Sequence, residues 1–487
     1  RRHVLADDEQ YVGVLLPPAG GAIVTNAALA LDRRVAVNLN YTVSADVMNY
    51  CIEKAGIKHV LTSRKVIDML NIKIDAELVY LEDFKEKVTT GDKVSAALAT
   101  FATPAFMLER SLGLQHCKAD DLLTIIFTSG STGTPKGVML THGNVGSNVD
   151  AINQVVHLTK DDVIIGILPL FHSFGYTVTM WSVLTLDIKG AYHYSPLTPR
   201  PIGRLCKRNN GTILLATPTF LRSYLKRCSP EDFASLNVVV AGAEKLPKDL
   251  IEGFEEKFGV RPVEGFGATE LSPLVSVNIP PSRSVNNFQK DLKEGSVGRA
   301  IPGVTAKVVH LETGEELSAG EEGMLMIKGP NVMQGYLDLP DKTAEVIQDG
   351  WYVTGDVAMI DEDGFITITG RQSRFSKIGG EMVPHVKIED QLADVIGGDR
   401  EEGLKAVITA VPDAKKGERL VVIHTSLEKS PDELVDGLRA AGLPNLFIPS
   451  TDCFLEVEEL PVLGTGKLDL KGIRKLAEER MSAGKEA

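Results

Sequence analysis

The chain has 487 residues, 43% hydrophobic and 24% charged, which is enough for several hydrophobic cores and predicts two or more domains. Its formal net charge of −13 and pI near 5.4 argue against nucleic-acid binding as the main function, because neutralising phosphates requires clustered Lys and Arg. Five cysteines without a CxxC pair indicate neither a zinc site nor a disulfide framework, so we expect a reducing, cytoplasmic location.

Short apolar runs alternate with amphipathic stretches from residue 11 to about residue 290, as they do in a layered α/β domain. The runs at 11–16, 163–168, 212–216 and 238–241 are typical of buried parallel strands. Arg1 is not an initiator Met, so we interpret the chain as part of a longer one.

The pattern changes between about residue 295 and residue 369, where short alternating segments are separated by Gly turns. This predicts a small β-rich subdomain. The mixed segments that follow predict a small α+β domain with strands at 407–411 and 420–425. We therefore predict an N-terminal domain over residues 1–372 and a C-terminal domain over residues 373–487.

A segment rich in Gly, Ser and Thr follows the apolar run 122–127. Glycines let the backbone approach an anion closely, hydroxyls and amides donate hydrogen bonds to it, and a lysine supplies positive charge. The segment is not a Walker A loop, because no Gly-Lys-Ser/Thr ends it. It is interpreted as a triphosphate-binding loop comprising Thr128, Ser129, Gly130, Ser131, Thr132, Gly133 and Lys136.

This loop resembles the phosphate loop of the adenylate-forming superfamily, which includes acyl-CoA synthetases, peptide-synthetase adenylation domains and firefly luciferase. Segments 265–270, 352–356, 370–371 and 461–467 resemble the further motifs of that family, in the same order. The resemblance covers nearly the whole chain. It implies a large layered α/β domain followed by a small mobile α+β lid domain, with ATP and Mg²⁺ as cofactors.

The Gly265 to Glu270 motif has residue types that suit nucleotide binding. Glu270 offers a hard oxygen ligand for Mg²⁺, with Thr128 as a second predicted metal ligand. Gly267 permits a planar base to lie against the backbone, and Phe266 can stack on it. The resemblance implies that Thr269 contacts the α-phosphate. It also implies an adenine pocket lined by Gly242, Ala243 and Glu244.

A second group of residues is assigned largely through the resemblance. Asp356, in a Gly turn, is suited to accept the ribose hydroxyls, and Arg371 can reach the sugar or a phosphate. Lys467 would neutralise charge as pyrophosphate leaves. The lid would swing at a hinge at Ser373, where the family commonly has Asp or Lys. The swing would bring in the loop from Ser373 to Met382, with Lys377 and Gly379, for thioester formation.

The segment Pro169 to Gly175 leads into an apolar stretch that contains no carboxylate before Asp187. An amino-acid substrate would need a carboxylate there to pair with its ammonium group, so the segment favours an acid with an apolar body. His172 is a candidate for contacting the substrate carboxylate, the alternative being a structural histidine at a strand end.

Segments 39–42, 61–64, 240–246 and 377–383 resemble the synthetase part of bacterial bifunctional acyl-[acyl-carrier-protein] synthetase/2-acylglycerophosphoethanolamine acyltransferases. This implies transfer of a long-chain fatty acid to acyl carrier protein for phospholipid reacylation. It also implies an upstream acyltransferase or membrane tether, which would hold the protein at the inner face of the cell membrane. Two alternatives stay open: a long-chain acyl-CoA synthetase using CoA, and a non-catalytic nucleotide-binding module.

Overall fold

The computed structural model describes residues 5, 9–129, 134–284, 291–379, 381–397, 405–413, 416–462 and 468–483. The chain forms two compact units. Unit 1 comprises Arg1–Thr354 and Met359–Thr367, and unit 2 comprises Gly355–Ala358 and Ile368–Ala487. The predicted mixed α/β class is confirmed, whereas the domain boundary at residue 373 stays a prediction.

Unit 1 contains a first sheet with seven strands in the described part of the chain. The inner strands are parallel and almost fully buried, as expected of continuous apolar runs covered on both faces. In spatial order the strands are Gly335–Tyr336, Pro135–Thr141, Leu122–Ser129, Val35–Asn38, Tyr11–Leu15, His59–Thr62 and Glu77–Tyr80. The helices from this part of the chain are Gly20–Leu31, Ala45–Lys54, Arg64–Leu70, Leu81–Lys87, Thr90–Phe101, Ala105–Leu112 and His142–Val156.

A second sheet of unit 1, also with seven described strands, contributes to a hydrophobic cluster that includes the buried rings of Tyr224, Phe233 and Phe254. Its strands, in spatial order, are Arg299–Ala300, Leu274–Val277, Val263–Gly267, Val238–Ala241, Ile213–Ala216, Val163–Gly166 and Lys189–Tyr192. Its helices are Ser182–Thr185, Pro199–Asn209, Pro218–Arg227 and Lys248–Phe258, and a π-helix spans Phe174–Trp181.

The third sheet contains the short strands that the Gly-punctuated region predicted. Its strands, in spatial order, are Thr305–Val309, Gly323–Lys328, Trp351–Ile360 and Ile347–Gln348, and Ile366–Arg371 also pairs with Trp351–Ile360. Helix Pro340–Val346 directly precedes strand Ile347–Gln348 in the sequence. Short 3-10 turns lie at Leu114–His116, Pro230–Asp232, Thr269–Leu271, Pro281–Arg283, Gln372–Arg374, Asn445–Phe447 and Thr451–Cys453.

Unit 2 is a small α+β body. Its sheet has the order Glu381–Pro384, Phe375–Ile378, Gly417–His424, Ala406–Asp413, and Phe454–Glu456 pairs with Gly417–His424. Its helices are His385–Ile396, Pro431–Ala440 and Leu470–Ala483. Among the residues that can be described, none of the helices is long and apolar enough to cross a membrane.

One expectation for unit 2 differs from the structure. The segment predicted as a loop from Ser373 to Met382 is largely a β-hairpin, in which Lys377 pairs with Met382 and Ile378 with Glu381. The alternation of Phe375, Ser376, Lys377 and Ile378 suits a strand with one buried face, and Gly379 has the positive φ of 61° that a tight turn requires.

A buried polar cluster joins this hairpin to the first helix of unit 2. The Ser376 hydroxyl is hydrogen-bonded to His385 Nε2 at 2.6 Å, and Arg374 pairs with Glu389. Glu389 Oε1 also accepts a hydrogen bond of 2.6 Å from the Ile408 backbone N–H. Burial, followed by the positive charges of Arg374 and Arg474, lowers the pKa of His385 to about 3.

Because the imidazole of His385 is held neutral in the folded state but titrates near 6.5 when unfolded, its contribution to stability is complete above pH 6.5 and is lost as the pH falls toward 3. We expect the free energy of opening of unit 2 to fall by about 1 kcal/mol between pH 6.5 and 5.5 from this residue alone. Hydrogen exchange of strand Gly417–His424, corrected for intrinsic rates, measures it. The His385→Gln variant should lose this part of the pH dependence, and equal slopes in both proteins would contradict the assignment.

Candidate functional site

Several predicted site residues of unit 1 follow the carboxyl ends of strands in the second sheet. Strands Val163–Gly166, Ile213–Ala216, Val238–Ala241 and Val263–Gly267 are parallel, so their carboxyl ends meet at the same edge. The segments that follow three of them carry His172, Gly242 to Glu244, and Thr269 with Glu270. Ligands of open α/β sheets bind outside the carboxyl ends of the strands, so this edge is the candidate site.

A tight backbone turn fixes Thr269 and Glu270. After Gly267 the chain makes a 3-10 turn and returns as the antiparallel strand Leu274–Val277. The Ala268 N–H donates to the Pro273 carbonyl at 3.0 Å, and a Cβ at Gly267 would lie 2.2 Å from that same oxygen. Only glycine fits this position, which is a steric reason separate from the predicted contact with a base.

The turn places Thr269 beside the segment that carries His172. The Ser173 hydroxyl donates to Thr269 Oγ1 across 3.4 Å, and Ser173 is buried. His172 is exposed at the start of the π-helix, where its carbonyl accepts a 2.9 Å hydrogen bond from the Tyr176 N–H. The structure therefore brings Thr269 and the His172 segment together.

Glu270 is held by a residue that the sequence reasoning missed. The Tyr336 hydroxyl donates to Glu270 Oε1 at 2.8 Å, and the Met333 N–H donates to the Glu270 carbonyl at 2.8 Å. Burial raises the pKa of Tyr336, and the neighbouring Glu270 charge raises it further, so the phenol keeps its proton for this bond.

Tyr336 also connects Glu270 to the predicted phosphate loop. It lies opposite Val138 in an antiparallel pairing with strand Pro135–Thr141, and the Lys136 ammonium lies 4.3 Å from the centre of its ring. One side chain thus orders a carboxylate and a cation at the same end of the first sheet. No local pattern around Tyr336 indicates this role, because it depends on a strand pairing across nearly 200 residues.

The two arms of the predicted phosphate loop form an antiparallel hairpin, in which Thr128 pairs with Lys136 and Ser129 with Pro135. Gly130, Ser131, Thr132 and Gly133 lie outside the described residues. The arms place Thr128 and Lys136 side by side at the point where the loop begins and ends.

The segment Gly242 to Glu244 makes a constrained turn after strand Val238–Ala241. Ala243 has a φ of 70°, which is unusual for a residue with a Cβ, and a Cβ at Gly242 would lie 3.2 Å from the Phe174 ring. The Glu244 carboxylate accepts hydrogen bonds from the Thr219 N–H at 3.3 Å and its hydroxyl at 2.8 Å. Glu244 therefore fastens this turn to helix Pro218–Arg227.

The apolar stretch expected to favour an apolar acid is mostly the π-helix Phe174–Trp181, a rare conformation that often occurs at functional sites. A Cβ at Gly175 would lie 2.3 Å from the Pro169 carbonyl oxygen, so the helix begins in close contact with the preceding turn. Residues 175–180 are buried.

The remaining predicted residues belong to unit 2 or lie outside the described residues. Within unit 2, Arg371 Nε lies 2.7 Å from Asp356 Oδ1; the Asp356 side chain is 5% exposed and that of Arg371 68%. Lys377 is exposed on its hairpin strand, and the Gly379 N–H donates to the Lys416 carbonyl at 2.8 Å. Ser373 lies in the 3-10 turn Gln372–Arg374, and Lys467 falls outside the described residues.

The donor set around Glu270 fits magnesium. No cluster of three or more His, Cys, Asp or Glu side chains that could enclose a metal occurs among the residues described here. Mg²⁺ commonly takes one or two carboxylates and completes its shell with phosphate oxygens and water, so a single oriented carboxylate beside a phosphate loop suffices. Glu270, with Thr128, would hold the ion, which when bound supplies charge neutralisation of the phosphates.

A sequence model of the family described as AMP-binding enzyme matches residues 4–337, which is more than half of the chain. The chain belongs to the AMP-binding enzyme family. It is therefore an AMP-forming ligase that uses ATP and Mg²⁺, and the resemblance to the adenylate-forming superfamily is confirmed.

Individual relatives of this AMP-binding enzyme agree with that assignment. It is 28% identical to the long-chain-fatty-acid–CoA ligase of Bacillus subtilis, over 94% of this chain and 84% of that protein. It is 30% identical to the enzyme of the same name from Salmonella typhimurium, over 88% and 75% of the two chains. The crystal structure of ATP-bound MatB from Rhodopseudomonas palustris superimposes with a TM-score of 0.77 and 27% identity, covering 98% of this chain and 90% of that one.

We predict that Tyr336→Phe weakens magnesium-dependent ATP use. Removing the donor to Glu270 frees the carboxylate to rotate, and a hydrogen bond to a charged group contributes about 1.5–3 kcal/mol. We expect kcat/KM for ATP to fall by about tenfold or more, with a rise in the Mg²⁺ concentration for half-maximal rate. Tyr50→Phe, on the surface of unit 1, is the matched control. An unchanged Mg²⁺ dependence in Tyr336→Phe would show that this contact does not orient the ligand.

We also predict that Gly267→Ala distorts the turn that holds Thr269. The added methyl must displace the Pro273 carbonyl, at a cost of about 1–3 kcal/mol in the free energy of unfolding. ATP binding, measured by calorimetry, should weaken as well. Gly20→Ala meets no atom within 4 Å and should leave both quantities unchanged, so similar behaviour of the two variants would refute the steric argument.

Proposed function

We propose that this AMP-binding enzyme activates a long-chain fatty acid as its acyl-adenylate and then passes the acyl group to a pantetheine thiol. The observation that carries the proposal is the pair of contacts from Lys136 to Tyr336 and from Tyr336 to Glu270, which support Glu270 as the magnesium ligand near the arms of the predicted phosphate loop. The names of the relatives support the substrate class.

In the first half-reaction the fatty-acid carboxylate oxygen attacks the α-phosphorus, and pyrophosphate leaves. Thr269 is proposed to donate to the α-phosphate, and the Thr128 to Lys136 hairpin to hold the β- and γ-phosphates. Asp356 and Arg371 are proposed to bind the ribose, and Lys467 to neutralise the charge that develops as the bond to pyrophosphate breaks. His172 is proposed to orient the acid through its carboxylate.

In the second half-reaction the thiol sulfur attacks the acyl carbonyl, its proton is released, and AMP leaves. The hairpin that carries Lys377 and Gly379 is proposed to serve this step after a rotation of the lid at Ser373. An exposed lysine on a tight hairpin suits an acceptor with a negatively charged phosphopantetheine arm.

Fatty-acid-dependent exchange of labelled pyrophosphate into ATP tests the first step. We expect Lys467→Ala to lower this exchange at least a hundredfold, because the developing charge is no longer neutralised. Lys475→Ala, on an exposed helix of unit 2, should stay within twofold. Given synthetic palmitoyl-AMP and thiol, Lys467→Ala should still form thioester. Full exchange in Lys467→Ala would remove it from the mechanism.

The acceptor is tested by initial rates with palmitate and either CoA or acyl carrier protein. The names of the relatives favour CoA, whereas the resemblance of segments 240–246 and 377–383 favours the carrier protein. We expect the natural acceptor to be at least tenfold faster in kcat/KM. If the enzyme adenylates palmitate but forms thioester with neither acceptor, the second half of the proposal fails while the first stands.

A further inference from the structure

One stretch of unit 1 has a charge opposite to that of the whole chain. Between Asp187 and Glu231 the sequence contains no Asp or Glu but eight Lys and Arg residues, in a chain with a net charge of −13. The stretch builds strand Lys189–Tyr192 and helices Pro199–Asn209 and Pro218–Arg227. Salt screens such a field within about 8 Å at physiological ionic strength, so only a partner that touches this face would be attracted by it.

The first of these helices presents its cations along one face. Arg200, Arg204, Lys207 and Arg208 follow an i, i+4, i+7, i+8 spacing and are all exposed. Across the described residues, none of the ion pairs involves Arg200, Arg204 or Arg208. Hydrogen bonds from its own backbone N–H and from Ser229 lower the pKa of the neighbouring Glu231 carboxyl, and the charge of Lys207 lowers it a little further.

The opposite face of this helix is fixed to the fold. Ile202 and Cys206 are fully buried, and a Cβ at Gly203 would lie 2.8 Å from the Asp232 side chain. The helix cannot turn its arginines inward without leaving this close contact. The cationic face is therefore a permanent feature of the surface.

Two apolar side chains are exposed immediately before the helix. Leu197 is 72% exposed and Tyr194 is 53% exposed. Their loop is anchored, because the buried Tyr224 donates its hydroxyl to the Pro196 carbonyl at 2.7 Å and His193 Nε2 bonds Thr198 Oγ1 at 2.6 Å. The fold thus holds apolar groups in water beside a row of arginines.

The neighbouring helix extends the positive surface. Arg222, Lys226 and Arg227 line a shallow depression of about 390 Å³ between helix Pro218–Arg227 and residues 244–247, where Lys245 adds a further cation and Glu244 a carboxylate. Arg222 also pairs with Asp249 at 3.0 Å.

We propose that this basic face, comprising Arg200, Arg204, Lys207 and Arg208 with Tyr194 and Leu197, docks unit 1 on the surface of an anionic lipid bilayer. Guanidinium groups bind phosphodiesters, and each cation near an anionic membrane contributes about 1 kcal/mol. Exposed leucine and tyrosine at one end of a basic helix suit insertion at headgroup depth. An acidic protein would satisfy the cations but offers less reason for the apolar pair.

The basic face includes residues at the sheet edge of the candidate site, so docking on a membrane would serve the proposed reaction. Strand Lys189–Tyr192 runs parallel to Val163–Gly166, so Tyr194 and Leu197 follow the same edge of the sheet that carries Thr269 and Gly242. Docking would bring Tyr194 and Leu197, at that edge, to the bilayer, where a long-chain fatty acid is dissolved. This last step rests on the proposed function, whereas the docking itself does not.

Cosedimentation with vesicles tests the docking. The full chain should bind vesicles of equal phosphatidylglycerol and phosphatidylcholine, bind pure phosphatidylcholine at least tenfold more weakly, and be released by 0.5 M NaCl. The triple variant Arg200→Glu/Arg204→Glu/Arg208→Glu should lose at least tenfold in affinity for the anionic vesicles, and Leu197→Asp should lose about threefold or more.

The matched control is Lys65→Glu/Lys93→Glu/Lys118→Glu, which makes the same change in net charge at exposed lysines elsewhere in unit 1. It should bind anionic vesicles as the wild type does. Both triple variants should adenylate water-soluble octanoate at the wild-type rate, which establishes folding and keeps a failure of the proposed function separate from a failure of docking.

The inference is overturned if the wild type does not bind anionic vesicles at low salt, or if both triple variants lose the same amount of affinity for them. It is also overturned if the arginine variant keeps vesicle binding but loses its reaction with acyl carrier protein, since the face would then serve an acidic protein.

Discussion

The site depends on a steric constraint at one backbone turn. Between Gly267 and Pro273 the chain reverses so tightly that a Cβ at Gly267 has no space, and the reversal sets the direction in which Thr269 and Glu270 leave the sheet. The turn is fastened from outside as well. The Ser272 hydroxyl donates to the Asn331 carbonyl at 2.8 Å, and the Asn331 amide donates to the carbonyls of Leu271 and Leu274 at 3.0 and 3.2 Å. The turn that carries Thr269 and Glu270 is therefore held in place by buried amide hydrogen bonds, which are costly to break.

The same region shows how two sheets contribute to one site. Asn144, at the start of helix His142–Val156, donates to the carbonyls of Pro330 and Val332 at 2.8 Å each, and Asn148 on the same helix donates to the Leu274 carbonyl at 2.8 Å. The helix after the phosphate-loop hairpin is therefore tied both to the turn that carries Glu270 and to the segment that carries Tyr336. These hydrogen bonds fix the position of Lys136 relative to Glu270, although the two residues come from different sheets.

The pattern of apolar and polar residues predicted those elements whose structure depends mainly on neighbouring residues in the sequence. Strand Val238–Ala241 was expected and found, because an apolar β-branched run has few alternatives to a buried strand. The contact of Gly267 with a base stays a prediction, and the structure adds a steric reason for glycine there, the nearby Pro273 carbonyl. The sequence gives no comparable signal for Tyr336, whose role requires a two-residue strand to pair with a partner far away in the chain. The π-helix at Phe174–Trp181 and the hairpin at Lys377 were missed because both depend on packing that periodicity does not contain.

The strand Gly335–Tyr336 has a consequence for solubility as well as for chemistry. It is the edge of the first sheet and covers the outer side of strand Pro135–Thr141, whose N–H and C=O groups would otherwise be open to pairing with another molecule. The edge strand is only two residues long, and very short edge strands are one way in which natural sheets avoid presenting a long free edge to other molecules. Because Tyr336 both shields this edge and orders Glu270, damage to the segment would couple loss of activity to aggregation. The cover of this sheet edge and the order of Glu270 thus depend on the same short strand.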